Sequence, residues 1–149
     1  MAKKKTIRTI PQERTPVQEQ DPKERARNFE EVSLGYRLEE ALVEAERCLQ
    51  CADEPCVRGC PVGIDIPGFI QKLTEKHYHG AYDIITDTNL LPSICGRVCP
   101  QETQCQEPCT LGKALKDPAK AVSIGRLERF VADWEREQGI QVPAVKPET

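Results

Sequence analysis

Eight cysteines in two dense groups constrain this chain more than any other feature of its sequence. The first group, CLQCADEPCVRGCP, covers residues 48–61 and has the spacing C-x2-C-x4-C-x3-C-P. The second group, CGRVCPQETQCQEPC, covers residues 95–109 and has the spacing C-x3-C-x5-C-x3-C. The question is what eight thiols at these spacings hold, and whether each group holds a partner of its own.

The remaining composition explains why the chain depends on its cysteines. Its 149 residues suffice for one domain of ordinary size, but only 5% are aromatic and 30% are charged. A domain with so small an apolar core usually needs disulfides or bound metal to be stable. The net charge of −3 is near balance, which gives no indication of nucleic-acid binding.

The sequence contains neither an apolar run of membrane-spanning length nor a signal peptide. We therefore predict a cytoplasmic protein without a membrane partner. In that compartment, clustered cysteines favour metal ligation over disulfides.

Three segments are predicted along the chain. Residues 1–31 are rich in proline and charge and should form an extended or disordered N-terminal arm, free or laid on another protein. Residues 32–140 should form the folded domain, and residues 141–149 have the composition of a linker. Because strand-like alternation is weak throughout, the predicted fold is all-α, with loops wrapped around the cysteines.

Helical signals lie on both sides of the cysteine groups. The apolar periodicity of residues 33–51 predicts a helix that leads into the first group. Asp65 marks the start of a second helix, which we expect to end near residues 77–80 and to be followed by a short helix before a proline break. The last helix is predicted to open at residues 117–118 and to close at Gly139. The second cysteine group is expected in short turns between prolines.

The cysteine spacing favours iron–sulfur chemistry. Compact runs that end in Cys-Pro are typical of [4Fe–4S]-binding segments, whereas zinc sites favour separated C-x2-C pairs. In two-cluster bacterial ferredoxins the fourth cysteine of such a run ligates the other cluster. We therefore expect Cys48, Cys51 and Cys56 to share one cluster and Cys60 to serve a second. Zinc, disulfides and a redox thiol relay remain as alternatives.

Three segments, in order along the chain, resemble the N-terminal iron–sulfur domain of NADPH-dependent glutamate synthase small (β) subunits. They are RCLQCADEPCVRGCPVGIDIPGFI, LPSICGRVCPQETQCQEPCTLG and AVSIGRLERFVADW. Similar domains occur in the flavoprotein subunit of NADH-dependent reduced ferredoxin:NADP oxidoreductase and in the N-terminal part of dihydropyrimidine dehydrogenase. The resemblance covers roughly residues 28–140 and implies an α-helical ferredoxin-like domain with two [4Fe–4S] clusters.

The resemblance also implies an interleaved set of ligands, in which each cluster draws on both cysteine groups. The ligands implied for the first cluster are Cys48, Cys51, Cys56 and Cys109. Those implied for the second cluster are Cys60, Cys99, Cys105 and Glu128, the last standing where dihydropyrimidine dehydrogenase has glutamine.

Glu128 has some support from the sequence itself. It lies on or beside the apolar stripe of the last helix, four residues after Ile124 and three before Val131. A carboxylate in that place is costly unless it is paired or binds a metal. Glu128 can instead lie at the edge of the stripe and pair with a surface cation. Two clusters contain eight irons and the chain contains eight cysteines, so a simple one-to-one count would use Cys95 as the last ligand instead of Glu128.

The sequence contains no Gly-x-Gly-x-x-Gly fingerprint and no Walker loop, so the chain is not expected to bind FAD or NADPH or to be catalytic alone. In the resembling families a flavin-binding domain begins just after a segment like GIQVPAVKPET. We therefore interpret the chain as the N-terminal domain of a longer flavoprotein, with FAD and NADPH held in the downstream domain.

The predicted function is to relay single electrons between that NAD(P)H-linked flavin domain and a partner. The partner is expected to be a large or second redox subunit, of glutamate synthase or ferredoxin:NADP oxidoreductase type, or ferredoxin. The alternative is a structural module, stapled by iron–sulfur clusters or zinc, that docks the flavoprotein without carrying electrons.

Overall fold

The computed structural model describes residues 6–139, and within that range the secondary structure is helical, without a strand. The all-α prediction is therefore confirmed. None of the helices in this range has the length and apolar character needed to cross a bilayer. The α-helices of the described range are α1 (Pro22–Arg25), α2 (Leu38–Ala45), α3 (Pro55–Arg58), α4 (Ile66–Thr74), α5 (Tyr78–Thr86), α6 (Pro92–Val98), α7 (Thr110–Ala114) and α8 (Ile124–Glu137).

Helix α2 is shorter than the helix predicted over residues 33–51. It begins at Leu38 and ends at Ala45, so the first cysteine group lies in the loop beyond it and in α3. Gln50 has a φ of 53° and Glu54 a φ of 43° in this segment. A helix cannot continue through left-handed residues, so the chain turns around the cysteines.

Helix α4 begins where the sequence predicts. Asp65 caps it, with Oδ1 accepting a hydrogen bond from the backbone N–H of Gly68 at 2.8 Å. The helix ends earlier than predicted, at Thr74, because Lys76 adopts a left-handed φ of 59° that the helix cannot continue through. Residues 77–80, predicted to end this helix, instead begin α5.

The last helix is also shorter than predicted. Asp117 caps a separate 3-10 turn, Pro118–Lys120, and α8 begins only at Ile124. Gly139 follows the helix with a φ of 81°, in agreement with its predicted role at the end. Pro92, predicted to interrupt the helical structure, is instead the first residue of α6. Cys95 therefore lies in a helix and not in a turn.

The core lies between α8 and the helices that pack on it, α5 and α6, and it continues through α4 to α2. Because α6 and α8 are in extensive contact, the second cysteine group lies directly against the last helix. The fully buried apolar side chains include Phe69, Ile70 and Leu73 of α4, Ile85 of α5, and Leu127 and Val131 of α8.

A completely buried ion pair joins the N-terminal arm to the domain. Arg47 Nη1 lies 2.6 Å from Glu44 Oε1, and both side chains are 0% exposed. The same guanidinium donates from Nε to the carbonyl of Pro11 at 3.0 Å, and from Nη2 to those of Gln12 at 3.0 Å and Lys120 at 2.6 Å. A buried charge of this kind is tolerated because its hydrogen-bonding capacity is used.

The carboxylate of Glu44 completes this junction. Its Oε2 accepts a hydrogen bond from Thr15 N at 2.7 Å, and its Oε1 accepts one from Ser123 N at 2.9 Å. The pair thus holds residues 11–15 of the arm and the segment before α8 on the same side of α2. Ile10 belongs to the buried core and Arg14 donates to the carbonyl of Ala121, so this part of the arm lies against the domain itself. The boundary at residues 31–32 stays a prediction, and the predicted linker at residues 141–149 lies outside the described residues.

Removing one partner of this buried pair should release the arm. We expect Arg47→Met to lower the free energy of unfolding by about 3–5 kcal/mol, because Glu44 would be left as an unpaired buried charge. Thermal unfolding followed by circular dichroism measures the loss, and limited proteolysis within residues 8–20 measures the release of the arm. Arg25→Met is the matched control, because Arg25 pairs with Glu19 at the surface, where such pairs contribute about 0–1 kcal/mol. Equal stability of the two variants would contradict the role given to Arg47.

Candidate functional site

Four cysteines from distant parts of the chain line one small cavity. They come from the loop after α2, from α3 and from the residue that caps α7. The other walls are mainly apolar side chains, among them Ile66, Ile70 and Ile124. The cysteines of this first cavity are Cys48, Cys51, Cys56 and Cys109. The structure thus brings together all four ligands that the family resemblance implies for the first cluster.

The thiols of the first cavity need a positively charged partner if they are to ionise. Burial, together with the nearby thiols of Cys48 and Cys109, raises the pKa of Cys56 to about 12. Four thiolates in one apolar cavity would repel one another strongly. The cysteines are free of disulfides, and bound iron would supply the missing positive charge.

A second cavity lies between α6, α8 and the loop that follows α3. It is lined by four cysteines and one carboxylate, together with a buried asparagine, Asn89. The acidic and thiol groups of this second cavity are Cys60, Cys95, Cys99, Cys105 and Glu128. The structure therefore brings together the four ligands implied for the second cluster and also places Cys95 beside them.

The groups of the second cavity also disfavour one another's charged forms. Burial and the neighbouring Cys60 and Glu128 raise the pKa of Cys105 to about 12. Burial and the neighbouring Cys95 raise the pKa of Cys99 to about 11. A set of thiolates and a carboxylate therefore fits a site for iron, which binds thiolate readily and supplies positive charge.

Helix α3 divides the first cysteine group between the two cavities. Cys56 faces the first cavity, and Cys60, four residues later, faces the second. Gly59 makes this possible, because a Cβ there would lie 2.7 Å from the carbonyl oxygen of Gln104. Only glycine lets the end of α3 approach the loop that carries Cys105 so closely.

The donors surround two cavities rather than converging on single points. Within residues 6–139, no three His, Cys, Asp or Glu side chains are grouped closely enough to hold one metal ion. A [4Fe–4S] cluster has four separate corners, each with its own ligand. Each cavity offers at least four donors, so the donor sets fit such clusters.

Glu128 is buried on α8 without a cation beside it among the described residues. Its side chain is 5% exposed, and Asn89 Nδ2 donates a hydrogen bond to Oε1 at 2.7 Å. Burial raises the pKa of Glu128 to about 7, although the hydrogen bond from Asn89 opposes this shift. The alternative from the sequence, an ion pair at the edge of the helix stripe, is not formed in the described part of the chain.

Asn89 is the residue of this site that the sequence does not reveal. Asparagine is common in turns, and this one stands between two helices, where a loop residue is expected. Its 4% exposure and its contacts with the second cavity appear only in the folded chain.

Comparison with known proteins is consistent with this arrangement. Residues 25–140 match the protein family described as dihydropyrimidine dehydrogenase domain II, 4Fe-4S cluster.

The chain is 41% identical over 102 residues to the NAD-dependent dihydropyrimidine dehydrogenase subunit PreT of Escherichia coli K12, covering 68% of this chain and 24% of PreT. It is 38% identical over 122 residues to the NADPH glutamate synthase small chain of Halomonas elongata, covering 78% and 25%. The putative oxidoreductase UacF of E. coli K12 is 40% identical over 111 residues, covering 74% and 17%. The chain thus spans a quarter or less of the length of these relatives.

The contact between α6 and α8 gives a direct test of the second cavity. A Cβ on Gly96 would lie 2.7 Å from the backbone N of Arg129 and 2.8 Å from its Cα. We expect Gly96→Ala to push α8 away from α6, to destabilise the protein by about 1–3 kcal/mol and to loosen the site around Glu128. Thermal unfolding and iron content after reconstitution measure these effects. Ser93→Ala on the same helix is the control and should change stability by no more than about 0.5 kcal/mol. Wild-type stability and iron content for Gly96→Ala would refute the close approach.

Proposed function

The chain belongs to the family of 4Fe-4S domains described as dihydropyrimidine dehydrogenase domain II, and from this we propose that it carries two [4Fe–4S] clusters that relay single electrons. Membership of the family establishes iron–sulfur binding and a general role in electron transfer within oxidoreductases. The observation that supports two clusters rather than one is the division of the donor side chains between two separate cavities.

The residues that would hold the clusters follow from the two cavities. The first cluster would be held by Cys48, Cys51, Cys56 and Cys109. The second would be held by Cys60, Cys99, Cys105 and Glu128, with Cys95 as the alternative to the carboxylate.

A [4Fe–4S] cluster exchanges one electron at a time, whereas a flavin takes two electrons as hydride from NAD(P)H. The protein keeps the two sites close in the chain, because Cys56 in α3 lines the first cavity and Cys60, just beyond the end of α3, lines the second. Apolar walls such as Ile66 and Ile124 limit water around the first site, which tunes its potential. These features support a relay through the domain.

The proposed electron donor and acceptor lie outside this chain. We propose a downstream flavoprotein domain, holding FAD and NADPH, on one side. On the other side we propose a large or second redox subunit, of glutamate synthase or ferredoxin:NADP oxidoreductase type, or ferredoxin. The relatives include a dehydrogenase subunit and a glutamate synthase small chain, which supports this class of assembly. The cytoplasmic location stays a prediction.

Metal analysis of single-ligand variants tests the two-cluster proposal. After anaerobic reconstitution we expect about eight iron and eight sulfide per chain, with broad visible absorbance that bleaches on reduction by dithionite. Cys109→Ser and Cys60→Ser should each perturb a different cluster, because their side chains line different cavities. Electron paramagnetic resonance of the reduced proteins distinguishes the two signals.

Four outcomes would oppose the proposal. Iron for one cluster only in the wild-type chain would exclude a relay through two clusters. Loss of the same signal in both cysteine variants would contradict two separate sites. A colourless protein that contains zinc, or clusters that do not accept electrons, would leave the structural docking module as the function.

The carboxylate ligand has its own test. We expect Glu128→Ala to lower the iron content of the second cluster and to change its resonance signal, while the signal of the first cluster stays as in the wild type. Glu135→Ala is the matched control, because Glu135 is a buried glutamate two turns later on α8 and its Oε1 lies 2.9 Å from His79 Nδ1, away from the cavity. Full iron content and an unchanged signal in Glu128→Ala would exclude Glu128 as a ligand.

A further inference from the structure

Asn89 lies next to both candidates for the last ligand of the second cluster. It follows α5, with its backbone N–H donating to the carbonyl of Ile85 at 3.0 Å. Its side chain is 4% exposed and lines the second cavity together with Glu128 and Cys95. A buried amide has to find partners for its donor and its acceptor, so its contacts are informative.

The orientation of the Asn89 amide is determined by a backbone group. The N–H of Leu91 lies 3.0 Å from Asn89 Oδ1, and a backbone N–H can only donate. The oxygen of the amide therefore faces Leu91, and the nitrogen faces Glu128. Nδ2 donates to Glu128 Oε1 at 2.7 Å, so the amide holds the carboxylate by this oxygen.

The same amide oxygen also holds Cys95. The Cys95 thiol donates to Asn89 Oδ1 over 3.5 Å, using the second lone pair of that oxygen. This contact holds the Cys95 sulfur against the amide of Asn89, on the other side of that amide from the Glu128 carboxylate.

We propose that Asn89 is a positioning residue that selects Glu128 over Cys95 as the ligand of the second cluster. This inference rests on the proposed two-cluster function. The amide nitrogen of Asn89 donates a hydrogen bond to one oxygen of Glu128 and so orients the carboxylate. The amide oxygen accepts a hydrogen bond from the thiol of Cys95, the competing ligand. Loss of such an outer partner typically costs 10–100-fold in metal affinity.

The test compares four reconstituted forms of the full chain: wild type, Asn89→Leu, Cys95→Ser and Asn89→Leu/Cys95→Ser. The measurements are iron and sulfide content, the resonance signals and midpoint potentials of both clusters, and the rate of iron release to a chelator. Asn89→Asp is a second variant for the case that the leucine variant does not fold. It keeps an oxygen for Leu91 and Cys95 but removes the donor to Glu128.

We expect Cys95→Ser to keep the wild-type signals, because a hydroxyl can also donate to Asn89. Asn89→Leu should change the signal and potential of the second cluster only, and should speed its iron release by about 10-fold or more. The double variant should lose the second cluster faster still, because the freed Cys95 can no longer replace Glu128. In every variant the unchanged signal of the first cluster verifies the fold.

Two results would overturn the positioning role of Asn89. One is a wild-type signal, potential and release rate for both variants of Asn89. The other is loss of the second cluster in Cys95→Ser, which would make Cys95 the ligand. Both results leave the two-cluster proposal intact. That proposal fails separately, if the wild-type chain does not bind two clusters.

Discussion

Repulsion among buried thiolates is the constraint on which the rest of this structure depends. Each cavity gathers at least four acidic donors, and burial beside its neighbours raises the pKa of Cys56 to about 12. Such sets are stable only when protons or metal ions balance their charge. Short helices joined by tight loops suit this task, because they deliver side chains to a cavity from many directions.

The buried pair of Glu44 and Arg47 links the N-terminal arm to the first of these cavities. Glu44 accepts a hydrogen bond from Ser123, and the residues on either side of Ser123, Val122 and Ile124, form part of the cavity wall. The arm therefore stabilises the segment that shields the first set of thiols. The ion pair can be completely buried because the arm supplies backbone carbonyls as hydrogen-bond partners for Arg47.

Local signals predicted which segments are helical but not where several of the helices end. Asp65 caps α4 as its sequence context indicates, since capping depends only on neighbouring residues. The end of α4 differs from the prediction because Lys76 adopts a left-handed backbone angle, whereas α2 already ends at Ala45, before the left-handed Gln50. Neither residue type favours that conformation, so the packing around the loops imposes it.

The sequence by itself determined the chemistry of the donors. The spacing of the first group already separates Cys60 from the three cysteines before it, because a short loop can reach only neighbouring corners of one cluster. The family resemblance implied Cys109 for the first cluster, and the tertiary structure places it at the first cavity. Only the tertiary structure brings Glu128 and Cys95 to the same buried Asn89. Spacing is a property of a short stretch of chain, whereas burial and the partners of a side chain depend on how α5, α6 and α8 pack.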